Sequence, residues 1–300
     1  MRARAILLIA TANVLGGVSY LGQKLAGLGL PDATVVAGRN LVALLCLGAW
    51  MWFGGLSFAK WSRRDWFRAV LLGTAGYGLP MLLGAIGVRH APSGNGAILI
   101  LLEPGAILVL CWLLLKERLG SGQILGVLLG LIGGTIVVLG ERGLEGLGDL
   151  VRGDYMGGNL ILALHGILWG LYTPVSKPLA DKHDPVAITF ASVLFSLVLL
   201  VPWSLTEVDE WRAGPQLWPA IGWTLGLGVL ITFASTVMWL AALKHLAASH
   251  VAVFIFLQPI VGVLVGTLAL DEPFSLQVLW GALVIALGVL ISLLWPGRRS

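Results

Sequence analysis

GNGAILILLEPGAILVLCWLLLKERL, residues 94–119, decides how this chain is read. It places the pair Glu103-Pro104 in the middle of an apolar run long enough to cross a bilayer, where a carboxylate is costly to keep. Residues 250–274, HVAVFIFLQPIVGVLVGTLALDEPF, repeat the arrangement with Gln258-Pro259 in the same place. An offset of 155 residues sets Glu103 on Gln258. Without a gap it also sets His90 on His245, Asn95 on His250, Pro104 on Pro259, Glu117 on Glu272, Gly126 on Gly281 and Gly133 on Gly288. Coincidence of such non-apolar landmarks does not follow from hydrophobic composition alone, so the chain is built from two halves.

Composition gives the class. Of 300 residues, 58% are hydrophobic and 11% charged, against roughly 25% charged in a soluble domain. Mean hydropathy is +0.93. Such a chain cannot cover itself with polar surface and is expected to be an all-α integral membrane protein. Ten apolar segments of membrane-spanning length are predicted at 4–23, 33–54, 67–88, 93–115, 121–140, 157–178, 185–205, 218–242, 250–270 and 275–295. Residues 1–140 carry the first five, 141–156 form a Gly-rich and acidic linker, and 157–300 carry the second five. The first segment runs past Asn13 to Tyr20, longer than the apolar core of a signal peptide, and is read as a spanning helix. Cys46 and Cys111 lie inside apolar runs and suggest no disulfide framework.

Basic residues fix the orientation. When the connections are assigned alternately to two sides, 13 Lys and Arg fall with the termini, 5 fall opposite, and Arg39 stays within a helix. The positive-inside rule then puts both termini in the cytoplasm. The net charge of +4 reflects these short loops and not a nucleic-acid surface. Five helices per half is an odd number, so the halves enter the membrane in opposite senses. Two inverted five-helix repeats are a plan of secondary transporters, with the substrate held near the midplane.

The order of ten helices, Leu101-Leu102-Glu103-Pro104 followed by Lys116-Glu117-Arg118-Leu119, the echo Leu257-Gln258-Pro259 followed by Asp271-Glu272-Pro273-Phe274, and Arg39 early in helix two together resemble the EamA-type drug/metabolite transporters. The resemblance covers nearly the whole chain. It implies a carrier that exports or exchanges amino acids and other small metabolites across the bacterial inner membrane by alternating access. One departure stands out: members commonly open each half with Trp-Gly, whereas here the second half has Trp169-Gly170 and the first has Gly16-Gly17 without the tryptophan.

Helical spacing groups the candidate binding residues. Asn95, Leu99 and Glu103 share a face of helix four, and His250, Phe254 and Gln258 share one of helix nine. Asn13, Gly17, Tyr20 and Lys24 line a stripe of helix one; His165, Trp169, Tyr172 and Ser176 line one of helix six. Tyr77, Thr236 and Trp239 join them from helices three and eight. Polar groups inside spanning helices face the bundle interior, and aromatic faces with a few donors and acceptors suit small organic molecules. Glu103 reads as a group able to carry a proton or pair with a substrate amine; the alternative is a permanent hydrogen bond to a neighbouring helix. Pro104 and Pro259 lack the N–H that would reach the carbonyls of Ile100 and Ile255, so each is expected to kink its helix.

Other readings are weaker. His165 and His250 lack the nearby ligands that a zinc site gathers and are assigned to hydrogen bonding, with no metal and no cofactor expected. Arg89, His90, Lys244 and His245 read as interfacial anchors or gate residues. Lys24 and Arg39 either receive a substrate carboxylate or extend to the lipid headgroups. Gly126, Gly130 and Gly134, with Gly262 and Gly266, form small-residue ridges that serve either the bundle or a homodimer seam. The sequence Gly143-Leu-Glu-Gly-Leu-Gly148 has neither the strand nor the Lys-Ser/Thr of a phosphate loop. Without a Ser-His-Asp or HExxH pattern no enzyme is expected. The competing functions are an intramembrane lipid or acyl transferase, with Glu103 or His165 as base, and a passive channel.

Overall fold

A computed structural model of the chain describes residues 2–91, 93–139, 145–148, 150–211, 214–270 and 276–295. Ten helices are long and apolar enough to cross a membrane: α1 Arg2–Ala26, α2 Asp32–Phe53, α3 Arg63–Gly87, α4 Asn95–Leu115, α5 Ser121–Leu139, α6 Gly153–Ala180, α7 Pro185–Thr206, α8 Leu217–Leu243, α9 Ala248–Ala269 and α10 Leu276–Leu294. No strand occurs among the described residues. The all-α, ten-span reading therefore stands. The spans are helical because lipid offers backbone groups no partner, and their side chains are apolar because they lie at the depth of the hydrocarbon core. Glu272 and the remainder of the α9–α10 connection, like Gly143, lie outside the described residues.

Several helix starts are built from local chemistry. Ser62 and Asp65 make a reciprocal capping box at α3, the Ser62 side chain accepting from the Asp65 amide and Asp65 from that of Ser62. Asp184 accepts from the Val186 amide at 2.8 Å and caps α7, which opens on Pro185. α4 ends where Lys116 adopts a left-handed conformation (φ 58°), a turn more often given to glycine.

Four spans are interrupted at repeat-related positions, in two pairs; α4 also ends in a π segment, Cys111–Leu115, that has no counterpart in the α-helical Leu257–Leu270 of α9. α3 contains a π turn at Thr74–Gly78, where Leu79 donates to Thr74 five residues back because Pro80 has no N–H to offer Gly76. α8 contains a π segment at Gly228–Ser235, and the 155-residue offset carries the first π turn onto it. α4 is helical over Ser93–Leu99 and again over Leu102–Leu110, with a break at Ile100 and Leu101. α9 is 3₁₀-helical over Ala252–Phe256 before α-helix resumes at Leu257. Both interruptions end just before the prolines. The Ile100 carbonyl, which Pro104 cannot serve, instead accepts from the Glu103 amide at 2.9 Å.

The chain divides into two compact units that cut across the halves: Met1–Leu82 with Val175–His245, and Leu83–Pro174 with Leu246–Ser300. In the first unit, α2 packs on α7, and α8 packs on both α1 and α2. Ala26, Leu30, Val35, Ala220 and Leu227 form one buried cluster there. In the second unit, α5 packs along α10 through glycines. A Cβ on Gly133 would stand 2.6 Å from the Gly281 carbonyl oxygen, a separation at which backbones touch directly. Gly130 faces the Phe256 ring and Gly134 the Leu101 side chain. The α5 ridge is thus filled by α9, α10 and α4 of the same chain.

Candidate functional site

Nine of the candidate residues belong to the second unit. Asn95 is buried and donates to the Asn159 side chain at 2.9 Å; Asn159 donates to the Leu150 carbonyl at 3.0 Å. Asn159 was not legible as a partner, since nothing in its spacing points to α4. α6 approaches α4 through glycines: a Cβ at Gly166 would lie 2.7 Å from the Leu99 carbonyl, and one at Gly170 would lie 3.1 Å from that of Glu103. The glycine of Trp169-Gly170 therefore brings α6 onto the α4 segment that holds Glu103. His165 and Trp169 meet edge to face at 6.4 Å, and the His165 ring lies beside Gly84 of α3. Tyr172, on the same helix α6, is buried.

Glu103 sits half-buried two residues past the α4 break. Among the described residues no side chain or amide is recorded as bonding its carboxylate, so the permanent interhelical hydrogen bond expected as its alternative role is not made there. Its repeat mate Gln258 also lies half-buried, at the start of the α9 segment Leu257–Leu270, and Phe254 is buried in the 3₁₀ turns. Because 3₁₀ geometry advances 120° per residue, His250, Phe254 and Gln258 do not share the single stripe that regular α-helix would give them.

His250 takes a definite position. Its Nδ1 lies 2.8 Å from Nε2 of Gln123 on α5, which also donates to Ser249 at 2.8 Å. An amide nitrogen only donates, so Nδ1 accepts and the ring carries its proton on Nε2. Beside this pair, Glu117 accepts from the amides of Ala248 and Ser249, both at 3.0 Å. A loop carboxylate thereby caps the first turn of α9. Trp112, Leu113, Lys116, Glu117, Arg118 and Leu119 line an open hollow of about 510 Å³ at this end. Among the described residues no group of His, Cys, Asp and Glu is placed to hold a metal.

The first unit holds Asn13, Tyr20, Tyr77, Thr236 and Trp239. Asn13 is buried and donates to the Ile9 carbonyl of its own helix at 2.8 Å, while Tyr20 is exposed. The Thr236 hydroxyl reaches the Ile231 carbonyl at 3.4 Å inside the α8 π segment. The buried Trp239 Nε1 has no hydrogen-bond partner among the described residues. Tyr77 is buried in the α3 π turn and stands beside the Arg39 guanidinium. Arg39, the eighth residue of α2, is only 6% exposed and donates from Nε to the Thr232 hydroxyl at 2.8 Å. A charge so placed costs about 2.5–3.5 kcal/mol on insertion scales at a helix centre. Its burial rules out extension to the headgroups in this conformation, which leaves the interior role for Arg39. Thr232 was not singled out from the sequence, although the 155-residue offset that aligns the halves carries Tyr77 onto it.

Ten spans, with matched interruptions in α3 and α8 and in α4 and α9, define a multi-pass membrane protein of internally repeated design. The chain belongs to the EamA-like transporter family, whose profile matches it twice, over residues 3–139 and 156–294. An uncharacterized transporter of Archaeoglobus fulgidus is 24% identical over 295 residues, covering 97% of this chain and 98% of that one. The Bacillus subtilis uncharacterized transporter YyaM is 23% identical over 289 residues, covering 95% and 92%. A crystal structure described only as that of a protein superposes with a TM-score of 0.82 at 20% identity over 99% of each chain. That likeness concerns the fold alone.

Proposed function

We propose that the protein is a secondary-active exporter or exchanger of small organic metabolites such as amino acids, working by alternating access in the bacterial inner membrane with both termini cytoplasmic. The observation that carries this reading is the pair of repeat-related breaks in α4 and α9, each just ahead of its proline. Interrupted spanning helices free backbone groups that must find partners, and transporters place substrate and coupling-ion sites at such points. Glu103, immediately past one break and without a recorded partner among the described residues, is the side chain best placed to act there. Membership of a transporter family supports the same reading.

Counterflow tests it. Purified protein in liposomes preloaded with an unlabelled amino acid is expected to accumulate the same labelled amino acid transiently without ATP. Failure across the proteinogenic amino acids, in vesicles shown to hold folded protein, would overturn the substrate class. Detection of a covalently altered product would favour a transferase. A reporter fused to the C-terminus, active only on the cytoplasmic side, checks the orientation.

A further inference from the structure

Arg39 lies between two hydroxyl side chains, each supplied by a π turn: it donates to Thr232 from Gly228–Ser235 of α8, and Tyr77 from Thr74–Gly78 of α3 stands beside it. No carboxylate balances it among the described residues, and the acids of the same unit are committed elsewhere. Asp65 bonds Ser62 and pairs with Lys182 and His183; Asp181 pairs with Lys177. Asp184 caps α7, and Glu207 accepts from the Ala33 amide at 2.8 Å. Asp32 lies seven residues back on α2, about 10 Å along the axis. Asp209 and Glu210 belong to the connection after α7. A guanidinium has five N–H donors in a planar fork, and two hydroxyls leave donors over. π turns inside helices are frequent at functional sites.

Resting on the transporter reading, we propose that Arg39, oriented by Tyr77 and Thr232, binds the anionic group of the transported molecule, a carboxylate. One guanidinium neutralises one negative charge. A carboxylate meets it with two parallel hydrogen bonds, whereas a phosphate dianion would leave a charge uncompensated in an apolar bundle. The substrate class is therefore carboxylate-bearing, and a molecule that keeps the rest of the structure but replaces the carboxylate with an amide binds more weakly. Tyr77 and Thr232 act as positioning residues that hold the fork.

The test is thermal stabilisation of the purified full chain in detergent by each proteinogenic amino acid, by its carboxamide and by inorganic phosphate. At least one free amino acid is expected to stabilise the protein, with the matched amide weaker by about tenfold or more, the loss expected for a charge-assisted hydrogen bond. Arg39→Gln is expected to lose that ligand-induced shift, and Tyr77→Phe and Thr232→Val to weaken it by roughly threefold. A purely structural Arg39 would lower the melting temperature of the ligand-free variant yet leave the shift intact, and that result overturns the proposal. So does equal stabilisation by acid and amide, a preference for phosphate over every amino acid, or no stabilisation by any amino acid. Should Arg39→Gln fail to fold, the acid–amide comparison on the unmodified chain decides alone. Counterflow is scored separately. Carboxylate-selective binding without counterflow sinks the transporter reading and spares the site, while counterflow that accepts amides equally does the reverse.

Discussion

Gly126 and Gly288 face each other with reciprocal contacts: a Cβ on Gly126 would stand 2.8 Å from the Gly288 carbonyl oxygen, and one on Gly288 would stand 2.7 Å from that of Gly126. Gly133 and Gly281 do the same at 2.6 Å in both directions. The 155-residue offset carries Gly126 onto Gly281 and Gly133 onto Gly288, so it exchanges one contact for the other. Two helices that meet through such exchanged pairs run antiparallel about a local two-fold axis. That is the geometry an inverted repeat requires of its fifth helices.

Gly133→Ala places a methyl against backbone atoms of Gly281 and Ile285 that cannot swing aside. It is expected to destabilise by about 1–3 kcal/mol, read as a lower melting temperature in detergent. Gly222→Ala in α8 meets nothing within 4 Å and is expected to be neutral or stabilising by about 0.5–1 kcal/mol. Equal effects at the two positions would contradict this account of the α5–α10 contact.

Glu117→Ala removes the carboxylate that accepts from the Ala248 and Ser249 amides. The expected loss is about 1–2 kcal/mol, as for other helix caps. Hydrogen exchange should accelerate at the first turn of α9 while the middle of α5 stays protected. Uniform acceleration would mean global loosening instead.

Asp65→Ala removes the capping box at α3 together with contacts to Lys182 at 3.5 Å and His183 at 3.3 Å. Lys182 is over half exposed and contributes little, so most of an expected loss of about 1–2 kcal/mol comes from the cap. Lys182→Ala should therefore shift the melting temperature far less than Asp65→Ala.

Pro104→Ala restores an amide that can reach Ile100, whose carbonyl now takes the Glu103 amide. The break in α4 is expected to close toward regular helix, leaving thermal stability equal or higher while slowing counterflow. Unchanged counterflow would show that the interruption is not needed for transport.

Glu103→Gln keeps the shape of the side chain and removes its proton. Counterflow under equal pH is expected to survive while acceleration by a pH gradient is lost. Gradient dependence equal to that of the unmodified chain would end the proton-carrying role.

The class and much of the plan were legible without coordinates. Apolar runs of spanning length leave a chain no choice but helix, because lipid offers no partner to a backbone amide or carbonyl. The offset that aligns Pro104 with Pro259 exposed the repeat before any packing was known. What tertiary structure decided were the partners. Arg39 had two readings until burial placed it between Tyr77 and Thr232; His250 was read as a hydrogen-bonding group, and the fold supplied Gln123 as a partner; Glu117 was one loop charge among several until it met the α9 amides. Helical period tells which residues share a face, but not where a π or 3₁₀ turn rotates that face, nor which distant helix comes to lie against it. The first is set along the chain by missing amides and hydrophobic length. The second is set only when close-packed glycines fix which helices touch.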